Sequence, residues 1–228
     1  MARRQLSRQV GTAEDPYLAK TCLLGEHLAH ALVAALFDAL GRMHDHVFAI
    51  DVIAELTRFY RDHNANIHRG VHTLSVESTE LYEGARAKVA AFIGAADPRE
   101  VIFTRNTTEA INLVAHSYGR SALQAGDEVV ISEVEHHSNI VPWQMLRDER
   151  GIVLKYIPML PDGTLDLQVA RQIIGPKTKL LSITAMSNAL GTIVPLHEIV
   201  PLAKAHGALV LVDGAQSVPH MAVDVQAL

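Results

Sequence analysis

Ala208-Leu209-Val210-Leu211-Val212-Asp213-Gly214-Ala215-Gln216 is an apolar run closed by a carboxylate and then by small turn residues. A short, oily, β-branched run bounded by Gly predicts a buried strand, and Asp213 then stands at its C-terminal mouth. In an open α/β sheet, ligands bind outside the carboxyl ends of the strands. An acidic group placed there can hold a positive charge, such as the protonated ring nitrogen of a pyridine cofactor. An Asp in this position can also simply cap the next turn. Burial after so apolar a strand nevertheless makes an unpaired carboxylate costly.

The same rhythm extends toward the N-terminus. Val101-Ile102-Phe103, Val129-Val130-Ile131, Val153 to Ile157 and Leu180 to Ile183 are further strand-like runs. Amphipathic stretches over 107–118, 139–149, 166–174 and 196–206 separate them. Strands alternating with helices of this length predict βαβ units, hence an α/β fold with a mostly parallel sheet flanked by helices.

Upstream the pattern is helical. Leu28, Ala31, Leu32, Ala35, Leu36, Ala39 and Leu40 recur at helical spacing, and Ile50, Ile53, Leu56 and Tyr60 share a face of a helix over 48–62. A third helix is predicted from about Val76 to Ile93, after a loop over Asn66–His72. The character changes near residue 64. This divides the chain into an N-terminal helical segment, 1–63, and an α/β domain, 64–228.

With 228 residues, 49% of them hydrophobic, the chain can bury a sizeable core. A formal charge of −5 with no basic stripe argues against nucleic acid as a partner. Cys22 is the only cysteine, which excludes an intrachain disulfide and a Cys-based zinc cage and fits a reducing cytoplasm. Arg3, Arg4 and Arg8 make the N-terminus basic, but Glu14 and Asp15 precede any apolar run. Leu23–Leu40 carries Glu26, His27, His30 and Asp38, so neither a signal peptide nor a membrane span is predicted.

Polar clusters follow the predicted strands. After Phe103, Asn106 and Glu109 have capping-box spacing, so a helix should start at Thr107. Its free N–H groups and the hydroxyls of Thr107 and Thr108 form an anion site suited to phosphate. The same pattern also describes a well-capped helix without a ligand. After Ile131 comes Glu135-His136-His137-Ser138-Asn139. One imidazole there can stack on a planar cofactor, act as acid or base, or bind metal; surface histidines opening a helix are the alternative. Zinc needs three or four converging ligands and adjacent histidines rarely share an ion, so no metal is assigned. His68 and His72 have i, i+4 spacing, but Gly70 and Val71 between them disfavour the helix that a metal pair needs. After Ile183, Asn188 in Ser187-Asn188-Ala189-Leu190-Gly191 offers a donor and an acceptor to a ring hydroxyl, or serves as a turn residue. Clusters after four predicted strands at one sheet edge supply a phosphate cup, a planar stacker, an amide and an anion. That set suits a flat, phosphorylated, cationic heterocycle, and pyridoxal 5′-phosphate has that shape.

The stretches His68-Arg69-Gly70-Val71-His72-Thr73-Leu74-Ser75, Thr107-Thr108-Glu109-Ala110-Ile111-Asn112, Glu135 through Gln144, Ser187 through Gly191 and Val212 through Gln216 together resemble the SufS-type cysteine desulfurases. These belong to the class V aminotransferase group of fold type I pyridoxal-phosphate transferases. The resemblance runs from about Asn66 to Leu228 and covers the N-terminal part of the family's large domain. It implies that Thr107 and Thr108 hold the cofactor phosphate, and that His136 stacks on the ring and assists proton transfer. It further implies that Asn188 and Gln216 bond the ring oxygen and that Asp213 pairs with the ring nitrogen. The implied activity converts L-cysteine to L-alanine. Sulfur passes as a persulfide to an acceptor protein of iron–sulfur cluster assembly, and the intact family is homodimeric.

Several family features have no counterpart here. The Ser-x-His-Lys motif that bonds the cofactor, the nucleophilic cysteine and the substrate-gripping arginine follow the region matched. Cys22 does not match that cysteine, Lys204 lies on a predicted helix away from the lysine motif, and residues 1–63 lack the family's Tyr-Leu-Asp segment. The expectation is therefore a truncated or remodelled desulfurase that does not perform the reaction alone. A non-catalytic binding module derived from the family, and a selenocysteine lyase or other class V enzyme, are the alternatives.

Overall fold

β-Branched residues need a partner strand before they form a sheet, and four of the five strand-like runs find one. A computed structural model describes residues 45–68 and 70–228, with side chains from Ile50 onward; the predicted helix over 28–40 lies outside them. Strands β1 (Glu128–Ser132), β2 (Val153–Ile157), β3 (Thr178–Thr184) and β4 (Leu209–Asp213) form one parallel sheet in the order β2-β1-β3-β4.

Each crossover carries a helix. Besides α3 (Thr107–Val114), which precedes the sheet, these are α4 (Val141–Arg150) between β1 and β2, α5 (Leu167–Ile173) before β3, and α6 (Leu196–Ala205) before β4. The middle of the sheet is apolar where both faces are covered, whereas the edge strand β2 leaves Val153 and Tyr156 exposed. Val129, Ile131, Leu180 and Leu211 pack with Ile111, Trp143 and Leu146 on one side. Val130, Leu181 and Ile183 pack with Ala170, Ile199 and Ala203 on the other. Odd and even strand positions thus feed opposite cores, as the two-residue pleat requires. A Cβ on Gly119 would lie 2.5 Å from Leu146 Cδ1, so a larger residue there would push that buried side chain aside. Gly151, at φ +72°, ends α4 in the left-handed conformation that glycine adopts at least cost.

The run Val101-Ile102-Phe103 is extended but joins no ladder, which corrects the strand predicted there. Val101 is fully buried, and its carbonyl accepts from the Arg86 guanidinium at 2.6 Å. A side chain has taken the acceptor that a neighbouring strand would need.

The chain divides into two compact units, one comprising the sheet from Ile102 onward and the other reaching to Val101. The helix Thr73–Ile93 therefore groups with the residues that precede it. In that unit, α1 (Asp45–Arg58) runs into a wide turn over Phe59–His63 and is followed by α2 (Thr73–Ile93). Ile50, Ile53, Leu56 and Tyr60 are exposed. His63 pairs with Glu77 at 3.0 Å, and Ser75 Oγ donates to the Asn66 carbonyl at 2.5 Å. A Cβ on Gly70 would sit 2.1 Å from Ser75 Oγ, so this close approach requires glycine.

Candidate functional site

The sheet order sets where a ligand can enter. From β1 the chain moves outward to β2, then crosses back to β3 on the other side, so the connections leaving β1 and β3 diverge. Such a switch point opens a crevice at the C-terminal ends of the strands. A pocket lies there, lined by Thr107, Thr108, His136, Ser138, Thr184, Met186, Asn188, Asp213, Ala215 and Gln216. All six residues singled out in the sequence are among them.

Thr107 and Thr108 open α3. Asn106 Oδ1 caps the helix by accepting from Glu109 N at 2.8 Å, and Asn106 O accepts from Ala110 N at 3.1 Å. Glu109 departs from a capping box: its carboxylate accepts from Arg105 N at 2.6 Å and pairs with the Arg105 guanidinium at 3.0 Å. That bond holds the carboxylate below its ordinary range. The amides of Thr107 and Thr108 come too early in the helix for an intrahelical acceptor. The Thr107 hydroxyl is buried without a hydrogen-bond partner. A buried unsatisfied polar group costs about 1–3 kcal/mol, so this hydroxyl calls for an acceptor from outside the chain.

His136 heads the turn His137–Asn139, and its Nδ1 accepts from Ser138 N at 3.2 Å. An amide only donates, so the neutral ring carries its hydrogen on Nε2. His137, its neighbour, does not line the pocket. Asn188 rides on a turn built by Ser187. That hydroxyl accepts from the amides of Ala189 and Leu190, and Gly191 N returns to Ser187 O at 3.0 Å. Asn188 itself is exposed, and Gln216 is half-buried.

Asp213 ends β4 at 4% exposure and accepts from Ala215 N at 2.9 Å. Burial pushes its carboxyl above the usual range, while the Ala215 amide and His136 pull it back. A cation in the pocket would favour the charged form.

Ser138, Thr184, Met186 and Ala215 line the pocket without having been singled out. Thr184 had a readable signal: it is the polar residue ending the Leu180–Ile183 run, as Asp213 ends its own, and the two are paired in register. His68 and His72 are not brought to a common site. His68 Nε2 lies 3.1 Å from Glu83, and His72 caps α2 through Ser75 N. Among the described residues, no group of three His, Cys, Asp or Glu converges as metal ligands would.

A parallel α/β sheet with a polar pocket at its switch point narrows the class, and comparison with known proteins specifies it. Residues 49–228 match the Aminotransferase class-V family, and the chain belongs to that family. It is 54% identical over 179 residues to a probable cysteine desulfurase of Halalkalibacterium halodurans, covering 78% of this chain and 44% of that protein. It is 57% identical over 170 residues to a cysteine desulfurase of Serratia proteamaculans, covering 75% and 42% respectively. The solved cysteine desulfurase of Thermococcus onnurineus NA1 superposes with a TM-score of 0.72 at 42% identity, over 76% of this chain and 43% of that one. The chain thus spans under half the length of the relatives it matches.

Proposed function

We propose that the pocket binds pyridoxal 5′-phosphate and that the chain supplies the cofactor-binding part of an L-cysteine desulfurase. The observation carrying this is the pairing, in one pocket, of an orphaned buried hydroxyl on Thr107 with a buried carboxyl on Asp213. A ligand with a phosphate and a cationic ring answers both. Thr107 and Thr108 would bind phosphate oxygens through their hydroxyls and the free amides of the helix start. Asp213 would accept the ring N–H and keep it protonated. His136 would cover the ring face and move protons through Nε2, and Asn188 and Gln216 would bond the ring oxygen. When bound, the cofactor supplies an electron sink for the substrate's α-carbon.

This reading carries the family's wider setting with it: L-cysteine as substrate, a sulfur-acceptor protein of iron–sulfur assembly, a homodimer and a cytoplasmic location. It also treats residues 1–63 as a divergent helical segment and 64–228 as a partial cofactor domain. No helix among the described residues is long and apolar enough to cross a membrane.

The test mixes the 228-residue chain with pyridoxal phosphate and follows absorbance and fluorescence, with sulfide and alanine release from L-cysteine assayed in parallel. Saturable binding is expected, weakened roughly tenfold to hundredfold in Asp213→Asn, the worth of one charge-assisted hydrogen bond. No binding, or equal binding by Asp213→Asn, would end the proposal.

A further inference from the structure

The registered pairing of β1 with β3 reaches only Val130 and Leu181. Beyond it, β1 stays joined to β2 through Glu133 N to Ile157 O, and β3 to β4 through Ala185 N to Asp213 O. The sheet therefore parts at its switch point, beside the pocket, and side chains fill the gap. Glu135 Oε1 accepts from the Thr184 amide at 2.9 Å and from the Ser132 hydroxyl at 2.5 Å. Its Oε2 accepts from Asn139 Nδ2 at 2.7 Å. Asn139 Oδ1 in turn accepts from the Trp143 indole at 3.1 Å and the Ser182 hydroxyl at 2.5 Å.

Donor chemistry dictates these orientations. An indole N–H only donates, so the Asn139 carbonyl must face Trp143 and its NH₂ must face Glu135. Each Glu135 oxygen thus meets one obligate donor, Thr184 N–H on one and Asn139 NH₂ on the other. The Ser132 hydroxyl can reverse, so the carboxyl can hold or release a proton with every bond kept. Three pocket residues hang on this clamp. Thr184 is bonded to it directly, His136 follows Glu135 in the chain, and Ser138 precedes Asn139. Thr184 is also the ladder partner of Asp213, which brings the two buried carboxyls close.

We propose that Glu135 is a positioning residue of the pocket: its carboxylate closes the gap between β1 and β3, fixes the turn presenting His136 and Ser138, and sets a second buried negative charge near Asp213 that tightens the hold on a cationic ring. The proposal rests on the cofactor reading above. Of the titratable groups around the clamp, Asp213 on β4 acts on Glu135 and His136 acts on Asp213; β1, β3 and α4 contribute hydroxyls, an amide and an indole. Burial, partly offset by its three donors, pushes Glu135 up to about 7. The second charge is thus lost below neutrality and present above it. A cation seated at Asp213 favours the ionised form, so loading should lower the Glu135 midpoint.

The experiment uses the 228-residue chain with pyridoxine 5′-phosphate, whose alcohol cannot bond a lysine. Dissociation constants are measured by fluorescence at pH 6 and pH 8 for the unsubstituted chain and Glu135→Gln. The ligand's own titrations cancel in the ratio of the two constants. A fall of about one pH unit in the Glu135 midpoint on loading makes that ratio rise roughly fivefold from pH 6 to pH 8. A purely structural role gives a ratio independent of pH, which overturns the proposal. Should Glu135→Gln fail to fold, the ¹³C carboxyl resonance of Glu135 in the unsubstituted chain is titrated with and without the ligand. A lowered midpoint supports the proposal and an unmoved one overturns it. An unsubstituted chain that fails to bind the ligand at all removes the cofactor reading, and this proposal with it; binding with a flat ratio and an unmoved midpoint removes this proposal alone.

Discussion

The two sides of the pocket are built in opposite ways. At the start of α3, every bond that shapes the site joins residues within four positions of one another: Asn106 to Glu109, Asn106 to Ala110, Arg105 to Glu109. At the parting of β1 and β3, the clamp joins residues 43 and 49 positions apart, Ser182 to Asn139 and Thr184 to Glu135. The first is a local motif near solvent, with a charged pair whose Arg105 side chain is 86% exposed. The second is a buried network of one carboxyl and neutral donors, dependent on the whole sheet being assembled. A local site tolerates substitution at modest cost, whereas a buried network transmits each loss to the fold.

The largest effect should come from the network's anchor. Trp143→Ala removes a fully buried indole from the core facing α3 and takes away a donor from Asn139. A loss of about 3–5 kcal/mol is expected from the lost burial together with the cavity it leaves. Urea denaturation followed by circular dichroism measures it, and a loss below that of a helix cap would erase the contrast between the two sides.

Next in size is the response to pH. The folded chain holds the Glu135 proton up to about 7, against an ordinary value of 4.5. Stability from this group is therefore full below about 4.5 and is lost as pH rises through 7, by about 3 kcal/mol. Asp213, raised by burial as well, acts in the same direction. Urea midpoints at pH 5 and pH 8 should differ accordingly, and Glu135→Gln should flatten the difference. An equal slope in the variant would assign the pH response elsewhere.

On the local side the expected effects are smaller. Asn106→Ala removes the cap on Glu109 N and should cost about 1 kcal/mol. A thermal melt that drops as far as that of Trp143→Ala would show that α3 is as deeply coupled as the clamp. Thr107→Val should have the least effect on stability, within about 1 kcal/mol and in the stabilising direction, because it replaces an unpartnered buried hydroxyl with a methyl. The same change should weaken phosphate-bearing ligands roughly tenfold, the worth of one hydrogen bond. Unchanged affinity for pyridoxal phosphate would place the phosphate away from Thr107.

Local chemistry was legible in the sequence wherever neighbours in the chain decide the outcome. Asn106 and Glu109 announced the start of α3 at Thr107, and the helix begins there. Alternating β-branched runs and amphipathic stretches announced parallel crossovers, because a strand buried on both faces and a helix buried on one leave different periods. The matched motifs brought Thr107, Thr108, His136, Asn188, Asp213 and Gln216 to notice, and all six line the pocket. Tertiary structure alone decided the strand order, the failure of Val101-Ile102-Phe103 to pair, and the clamp at Glu135. Propensity describes what one segment favours, whereas each of these depends on which distant segment arrives beside it. The Val101 carbonyl goes to Arg86, and Glu135 meets Thr184 only where β1 and β3 lie adjacent and then part.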